Sequence, residues 1–212
     1  MIDKIRNIFS IPDLRAKIIY TLLILIVVRV GAHIPIPGVD GNALAGAFER
    51  LQDTLFGLFN MFTGGAFEKA SLFSLGIMPY ISASIVIQLM GSVLPYFQRL
   101  QKEGEAGRKK ITQITRYGTV LLASMQSYGV VAVFLPSLTA GGKSVVVNPG
   151  FVFTFTGIIS MVTGTLFLMW LGERVTERGI GNGISLIIMV GIVSAFPNVL
   201  LNEITLVQEG VR

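Results

Sequence analysis

Long stretches without charged residues alternate with short basic segments along the chain. Four stretches, residues 70–98, 117–142, 144–172 and 179–202, each exceed the roughly 20 helical residues that cross a bilayer core. A fifth, residues 18–28, is shorter and is followed at once by Arg29, and we extend it to His33. Because an ionised side chain in hydrocarbon costs at least about 2.5 kcal/mol, this pattern predicts transmembrane helices. We expect five spans, at about residues 17–33, 76–97, 117–137, 152–171 and 183–202.

Composition supports a membrane protein. Hydrophobic residues make up 52% of the chain and charged residues only 14%, and the mean hydropathy is +0.70. A soluble domain this apolar does not cover its own surface with polar groups. There is no cysteine, so neither disulfides nor thiolate metal sites hold the fold. The predicted class is an all-α polytopic membrane protein.

Lysine and arginine are concentrated on one side of the predicted spans. Twelve of them fall before span one, after span two and after span four, whereas four fall on the opposite side. The positive-inside rule then places the N-terminus in the cytoplasm, so the net charge of +5 reflects topology rather than nucleic-acid binding. No small-residue cleavage pattern follows the first apolar run, and we therefore expect span one to be permanent.

The predicted external segment between spans one and two has two parts. Pro35, Pro37 and Gly38 must interrupt any helix after span one. Further on, NMFTGGAFEKASLFSLG (residues 60–76) contains a helix-compatible run after the Gly64-Gly65 break, too short and polar to cross a membrane. It is either a loop helix on the membrane surface or a re-entrant element in a protein-lined cavity, where interrupted backbone is tolerated at membrane depth.

Span two combines an aliphatic face with polar side chains. Ile77, Ile81 and Ile85 recur every fourth residue and share one helical face. Ser82 and Gln88 add polar groups, and Gln88 requires a hydrogen-bond partner or a wet neighbour. The residues alone leave two interpretations open, a seam between helices and a pore-lining face.

The remaining polar residues carry little catalytic chemistry. Arg29 is near the end of span one and is expected to extend to the external headgroups. His33 is the only histidine, which makes a poor metal site. There is no HExxH or GxSxG motif, and the glycines at 179, 181 and 183 predict a tight turn, with Asn182 as a helix cap, rather than a phosphate loop. Since no Asp or Glu lies inside the spans, a conduit, a scaffold or a carrier of uncharged cargo remains.

Three ordered motifs resemble the SecY family of protein-conducting channels. They are RVGAHIPIPGVD (residues 29–40), FTGGAFEKASLFSLGIMPYISASIVIQL (residues 62–89) and WLGERVTERGIGNGISLII (residues 170–188). The chain resembles the first five of the family's ten spans. The resemblance implies one of two inverted halves around an hourglass pore, a theme of membrane transport proteins.

The resemblance also assigns roles to residues. Ile77, Ile81 and Ile188 match an aliphatic pore ring, and Ser82, Ile85, Val86 and Gln88 match a lateral gate. A re-entrant plug at about residues 60–75 is implied, with its centre in the 62–72 segment: Phe62, Thr63, Gly64, Gly65, Ala66, Phe67, Glu68, Lys69, Ala70, Ser71 and Leu72.

Function and partners are implied in the same way. The resemblance implies a passive pore in the bacterial plasma membrane that translocates secretory polypeptides and inserts membrane proteins sideways into the lipid bilayer. SecA ATPase or the ribosome would drive it, SecE and SecG would be membrane partners, and signal peptides and translocating polypeptides would pass through it. The C-terminal half of the channel is expected to complete the ring. No catalytic site, metal or cofactor is implied.

Overall fold

The computed structural model describes residues 11–51, 54–140 and 142–208, and helices dominate it. In chain order these are α1 (Pro12–Gly31), α2 (Gly41–Glu49), α3 (Leu55–Thr63), α4 (Met78–Val93), α5 (Pro95–Lys102), α6 (Glu105–Tyr128), a π-helical segment (Gly129–Phe134), α7 (Leu135–Ser137), α8 (Phe151–Arg178) and α9 (Gly183–Gln208). A short antiparallel hairpin of β1 (Thr139–Ala140) and β2 (Lys143–Ser144) leads from α7 towards α8. The predicted helical class is confirmed.

Two continuous helices of the described chain are long and apolar enough to cross a membrane. They run from Glu105 to Ser137, through the π-helical segment, and from Phe151 to Arg178. The bent pair of α4 and α5 counts as a third if it forms one span. The count of five spans therefore stays a prediction.

The stretch predicted as span two, at about residues 76–97, contains a break. Leu94 adopts an extended conformation, with φ −93° and ψ 124°, and Pro95 starts a new helix. Proline has no amide donor and restricts the residue before it, so α4 stops there and α5 leaves at 98°. Phe97 and Leu100 are buried on one side of α5 and pack near Ile87 of α4. The basic segment after span two is thus largely helical.

Small and hydroxylated residues form a seam on α6. Thr115, Thr119, Ala123 and Ser127 recur every fourth residue and are buried. The hydroxyls of Thr115, Thr119 and Ser127 donate to carbonyls four residues earlier in their own helix, so no polar group is left unpaired among them. Small residues of this kind allow helices to approach closely, and α6 packs against α4, α5 and α8.

The loop after α1 connects two distant parts of the chain. The Ile36 amide donates to the Ala70 carbonyl at 2.9 Å, and the Leu72 amide donates to the Ile34 carbonyl at 2.9 Å. On its other side the Val147 amide donates to the Gly38 carbonyl at 3.1 Å. The predicted interruption of the helix is confirmed, and Gly38 has a φ of +91° that favours glycine.

Phe67 lies at the centre of an aromatic cluster. Its ring centroid is 5.0 to 6.2 Å from those of Phe48, Phe56, Phe59 and Phe134. The side chain is 5% exposed and belongs to a core that joins α2, the 62–72 segment, the π-helical segment and the start of α8. Through Phe67, this segment is packed into the core.

We expect Phe67→Ala to lower the free energy of unfolding of the full-length channel by about 3–5 kcal/mol, because the substitution leaves a cavity inside the cluster. Reversible unfolding in mixed detergent micelles measures the change. Phe151→Ala is the matched control, since Phe151 is 82% exposed at the start of α8. An equal loss in both variants would contradict a specific role for the cluster.

Candidate functional site

The three aliphatic residues predicted to form a ring lie in one cluster. Ile77 precedes α4, Ile81 is one turn into it, and the Ile81 amide donates to the Ile77 carbonyl at 3.1 Å. Ile188 comes from α9. All three pack with buried side chains of α1 and α8, among them Val28 and Leu168. The structure therefore brings together residues separated by more than one hundred positions.

Their exposure differs. Ile77 is buried, whereas Ile81 and Ile188 are half-buried. Ile77 and Ile188 line one side of a cavity of about 30 Å³, which is also bounded by Phe62 and Gly191. Of the three predicted ring residues, Ile81 and Ile188 thus keep exposed surface that a further partner could contact.

The 62–72 segment contains no helix beyond its first two residues. The predicted helical run after Gly64-Gly65 is wrong, because the helix is α3, which ends before the double glycine at Thr63. Gly64 and Gly65 have φ values of +65° and +80°, which end α3 in a left-handed turn. The chain then continues as turns to Ile77.

Side-chain bonds hold these turns together. The Asn60 amide group donates to Glu68 Oε2 at 2.7 Å, and the Glu68 backbone amide donates back to Asn60 Oδ1 at 3.0 Å. The Ser74 hydroxyl donates to the Ser71 carbonyl at 2.6 Å and also lies 3.2 Å from that of Ala66. An irregular segment whose backbone is satisfied in this way is tolerated inside a packed protein.

The segment lies among the long helices. A side chain added at Gly164 of α8 would collide with the Leu72 carbonyl, and one added at Gly191 of α9 would lie 2.8 Å from the Phe62 carbonyl oxygen. Ala66, Ala70 and Ser71 are almost completely buried. This packing favours the interpretation as an element in a protein-lined cavity over that as a surface helix.

The predicted gate residues divide between two environments on α4. Ile85 and Val86 are 51% and 46% exposed, and Gln88 is also exposed, with its amide donating to Ser84 Oγ at 3.1 Å. Ser82 is half-buried and lines a cavity of about 570 Å³ with aromatic walls from α3 and the π-helical segment. The partner that Gln88 requires is therefore in its own helix.

Arg29 has a partner that the sequence does not indicate. Its Nη1 donates to the Gly64 carbonyl oxygen at 3.2 Å, so the guanidinium contacts the 62–72 segment instead of extending to headgroups. An arginine in an apolar span signals that a partner is needed. Thirty-five residues separate the two groups, and no local pattern identifies which carbonyl it is.

A second polar contact joins two long helices at the predicted cytoplasmic side. Arg116 of α6 donates twice to Glu173 of α8, at 3.0 Å from Nε and 2.6 Å from Nη2. Such two-point pairing fixes relative orientation. Nearby, Asn182 Oδ1 accepts from the Ile184 and Ser185 amides, which confirms the predicted cap of α9.

Comparison with known proteins identifies the family to which this arrangement belongs. A protein-family model described as SecY matches residues 71–211 of the 212. The chain belongs to the SecY family. The resemblance drawn from the three motifs is thereby confirmed, and the match includes α4, α8 and α9.

Bacterial members of the SecY family are similar over almost the whole chain. Proteins named protein translocase subunit SecY from Escherichia coli (strain K12) and from Buchnera aphidicola subsp. Acyrthosiphon kondoi are both 52% identical over 201 residues, which is 95% of this chain. That from Rickettsia felis is 50% identical over 198 residues, or 93% of the chain. These alignments cover 45%, 56% and 46% of the respective relatives. The chain therefore spans about half the length of the curated SecY relatives that it matches.

Solved structures agree on the fold. One described as the structure of a protein conducting channel has a TM-score of 0.60, and so does canine Sec61 in a ribosome–channel complex from the endoplasmic reticulum. Each is 18% identical and covers 85% of this chain and 37% of its own. At this identity the likeness shows a fold shared with part of each solved chain.

Proposed function

We propose that this chain is the N-terminal half of a protein-conducting channel in the bacterial plasma membrane. The channel would translocate secretory polypeptides and release membrane segments sideways into lipid. The observation that carries the proposal is the aliphatic cluster of Ile77, Ile81 and Ile188 directly beside the buried, irregular 62–72 segment. A narrow apolar constriction next to a removable segment is suited to a passive pore that resists wetting when closed.

The helix lengths support four of the five spans, whereas α4 alone is shorter than the hydrocarbon core. At 1.5 Å per residue, the 20 residues of α1 and the 26 of α9 extend for roughly 30 and 39 Å, enough to cross a hydrocarbon core of about 30 Å. The 16 residues of α4 extend for about 24 Å before the bend at Pro95. We place the spans on α1, α4, the continuous helix from Glu105 to Ser137, α8 and α9, with the N-terminus in the cytoplasm.

The 62–72 segment would act as the plug and α4 as one side of the lateral gate. Burial of the segment among α1, α8 and α9 supports the first role. The exposed apolar face of Ile85 and Val86 supports the second, since the C-terminal half would cover it. Of the three ring residues, Ile77 is buried, and Ile81 and Ile188 keep exposed surface. Residues of the C-terminal half would therefore have to complete the ring.

Partners follow from family membership and are proposed on that basis. SecA or a ribosome would supply the driving force, and SecE and SecG would complete the membrane complex. The solved canine relative is a channel in a ribosome complex, which supports a ribosome as one partner. We infer no nucleotide or catalytic chemistry for this half.

A carrier of small uncharged solutes is the competing function. Such a carrier places polar ligands for its substrate near the middle of the membrane. Here the cavity beside Ile77 and Ile188 is lined mostly by apolar residues, with Arg29 and Thr63 as its polar residues, and its volume of about 30 Å³ has room for about one water molecule. A cavity of this size is too small for a solute, which favours the channel.

Crosslinking of a stalled precursor tests the channel assignment. A cysteine introduced by Ser82→Cys should form a disulfide with a cysteine in the signal peptide of a secretory protein arrested in transit, because Ser82 lines the cavity on the proposed gate side. Val120→Cys is the matched control, since Val120 is exposed on α6 and does not line that cavity. We expect on the order of tenfold more disulfide-linked product at position 82 than at position 120. Binding of the signal peptide next to position 82 would raise the local concentration of its thiol there. Equal yields at both positions would exclude the assignment.

A further inference from the structure

We propose that Arg29 is a latch that holds the 62–72 segment in its closed position, and that α9 controls the latch through Gly191. The inference rests on the proposed plug function of that segment. Arg29 joins α1 to the segment, and Gly191 joins α9 to the same turn. Two distant parts of the chain, α1 and α9, thus contact the same turn.

The first argument concerns the charge of Arg29. A guanidinium inside an apolar span is costly unless it is paired, and none of the ion pairs between described side chains includes Arg29. Its hydrogen bond goes to the carbonyl of Gly64, the residue that caps α3. The carbonyl end of a helix carries partial negative charge, which favours a cation at this position.

The second argument concerns the close fit of two glycines. A side chain at Gly64 would lie 2.5 Å from Arg29 Nη1 and 2.9 Å from Gly191 Cα. One at Gly191 would lie 2.8 Å from the Phe62 carbonyl oxygen. The turn therefore fits between the guanidinium and α9 only because both positions lack side chains.

The geometry couples the latch to the pore. Gly191 lies one turn after Ile188 on α9, and both line the small cavity together with Arg29 and Thr63. Movement of α9 away from α1 would remove one wall of the turn while Arg29 still held the other. Of its contacts with α1 and α9, the Gly64 turn would then keep only the Arg29 hydrogen bond, and a passing polypeptide would displace this end of the segment more easily. Widening of the ring and release of the plug are thus parts of one movement.

The test uses the full-length channel, made free of cysteines, with Thr63→Cys as a reporter. Thr63 is half-buried beside the cavity, so a membrane-impermeant maleimide should modify the reporter slowly in the closed channel. We expect Arg29→Met to raise the modification rate about 10-fold. This corresponds to a loss of about 1.4 kcal/mol, near the lower end for a hydrogen bond that involves a charged group. Arg29→Lys should give a smaller increase, because it retains the charge.

Arg50→Met is the matched control, since it removes an exposed positive charge from the same predicted side of the membrane. A second route to release is Gly191→Val, which should raise the rate by pushing the Phe62 carbonyl away. Its control is Met189→Val at an exposed position of the same helix. If Arg29→Met does not assemble, the Gly191→Val variant alone tests the latch. An assembled variant whose maleimide modification rate equals that of its own control would overturn the proposal.

Resting ion conductance separates the latch from the plug function. Arg29→Met should raise conductance in the intact channel and add nothing when residues 63–71 are deleted, because the latch would have nothing to hold. Additional leakage in the deleted channel would overturn the proposal. If the deletion itself does not leak, the plug function fails, whereas the maleimide rate still reports whether Arg29 holds the segment.

Discussion

Deleting residues 63–71 from the full-length channel should make the resting channel leak ions. The deletion removes Ala66, Phe67 and Ala70, which are buried, and the Ala70 carbonyl that accepts from the loop after α1. If the resting open state is populated at about 1%, loss of the segment should make most channels conduct, an increase of up to about 100-fold in resting conductance. Planar bilayers containing the purified complex, without a motor or precursor, measure it.

A deletion elsewhere controls for general damage. Removing residues 141–142 shortens the other predicted external loop and leaves the 62–72 segment intact, so conductance should stay at the resting level. Phe67→Ala provides an intermediate case, because it loosens the packing of the segment and leaves its backbone in place. An assembled deletion variant whose conductance equals that of the parent channel would show that the segment does not seal the pore.

The sequence predicts the helices of this protein better than their ends. Charge-free stretches located α1, α4, α8 and α9 because an unpaired charge in hydrocarbon is costly. The bend at Pro95 was available from the sequence, since proline lacks an amide donor, but the apolar run continues to Phe97 and a hydropathy criterion does not stop there. The helical continuation from Glu105 through the basic segment has no hydropathy signal at all.

Local sequence patterns do not predict the structure of the 62–72 segment. Gly64-Gly65 correctly indicated a break in the helix, but which side of the break is helical depends on tertiary contacts. α3 lies before it because Thr54 caps that helix and Gly64 ends it, while the residues after it are held by Asn60, by the loop after α1 and by α8. Contacts between residues that are distant in sequence leave no periodic signal.

The candidate ring and gate residues were found by resemblance, and their arrangement required coordinates. Periodicity indicated that Ile77, Ile81 and Ile85 share a face. The structure places Ile77 and Ile81 in a cluster with residues of α1, α8 and α9 and leaves Ile85 exposed, because α4 packs on one side only in this half. The helical face that the sequence predicts as one therefore has two parts. Ile77 and Ile81 pack against other helices of this chain, whereas Ile85 stays exposed.

Ile85→Asn in the full-length channel should loosen the closed gate and allow precursors with defective signal sequences to be exported. Ile85 and Val86 present an apolar surface that the C-terminal half would cover. An amide buried there without a partner would cost the closed state about 1–3 kcal/mol, which shifts the gate about 5- to 150-fold towards the open state. Export of a precursor whose signal sequence carries a charged residue in its apolar core measures the change.

The control distinguishes a seam between two halves from a face in contact with lipid. Leu121 lies on α6 and is 64% exposed, so Leu121→Asn also introduces an amide on an apolar surface. If Ile85 merely faces lipid, both variants should behave alike, with reduced assembly and no gain of export. If Ile85 lies in the seam, only its substitution should rescue the defective precursor. Background export by a stably assembled Ile85→Asn channel would therefore place the gate on another face of α4.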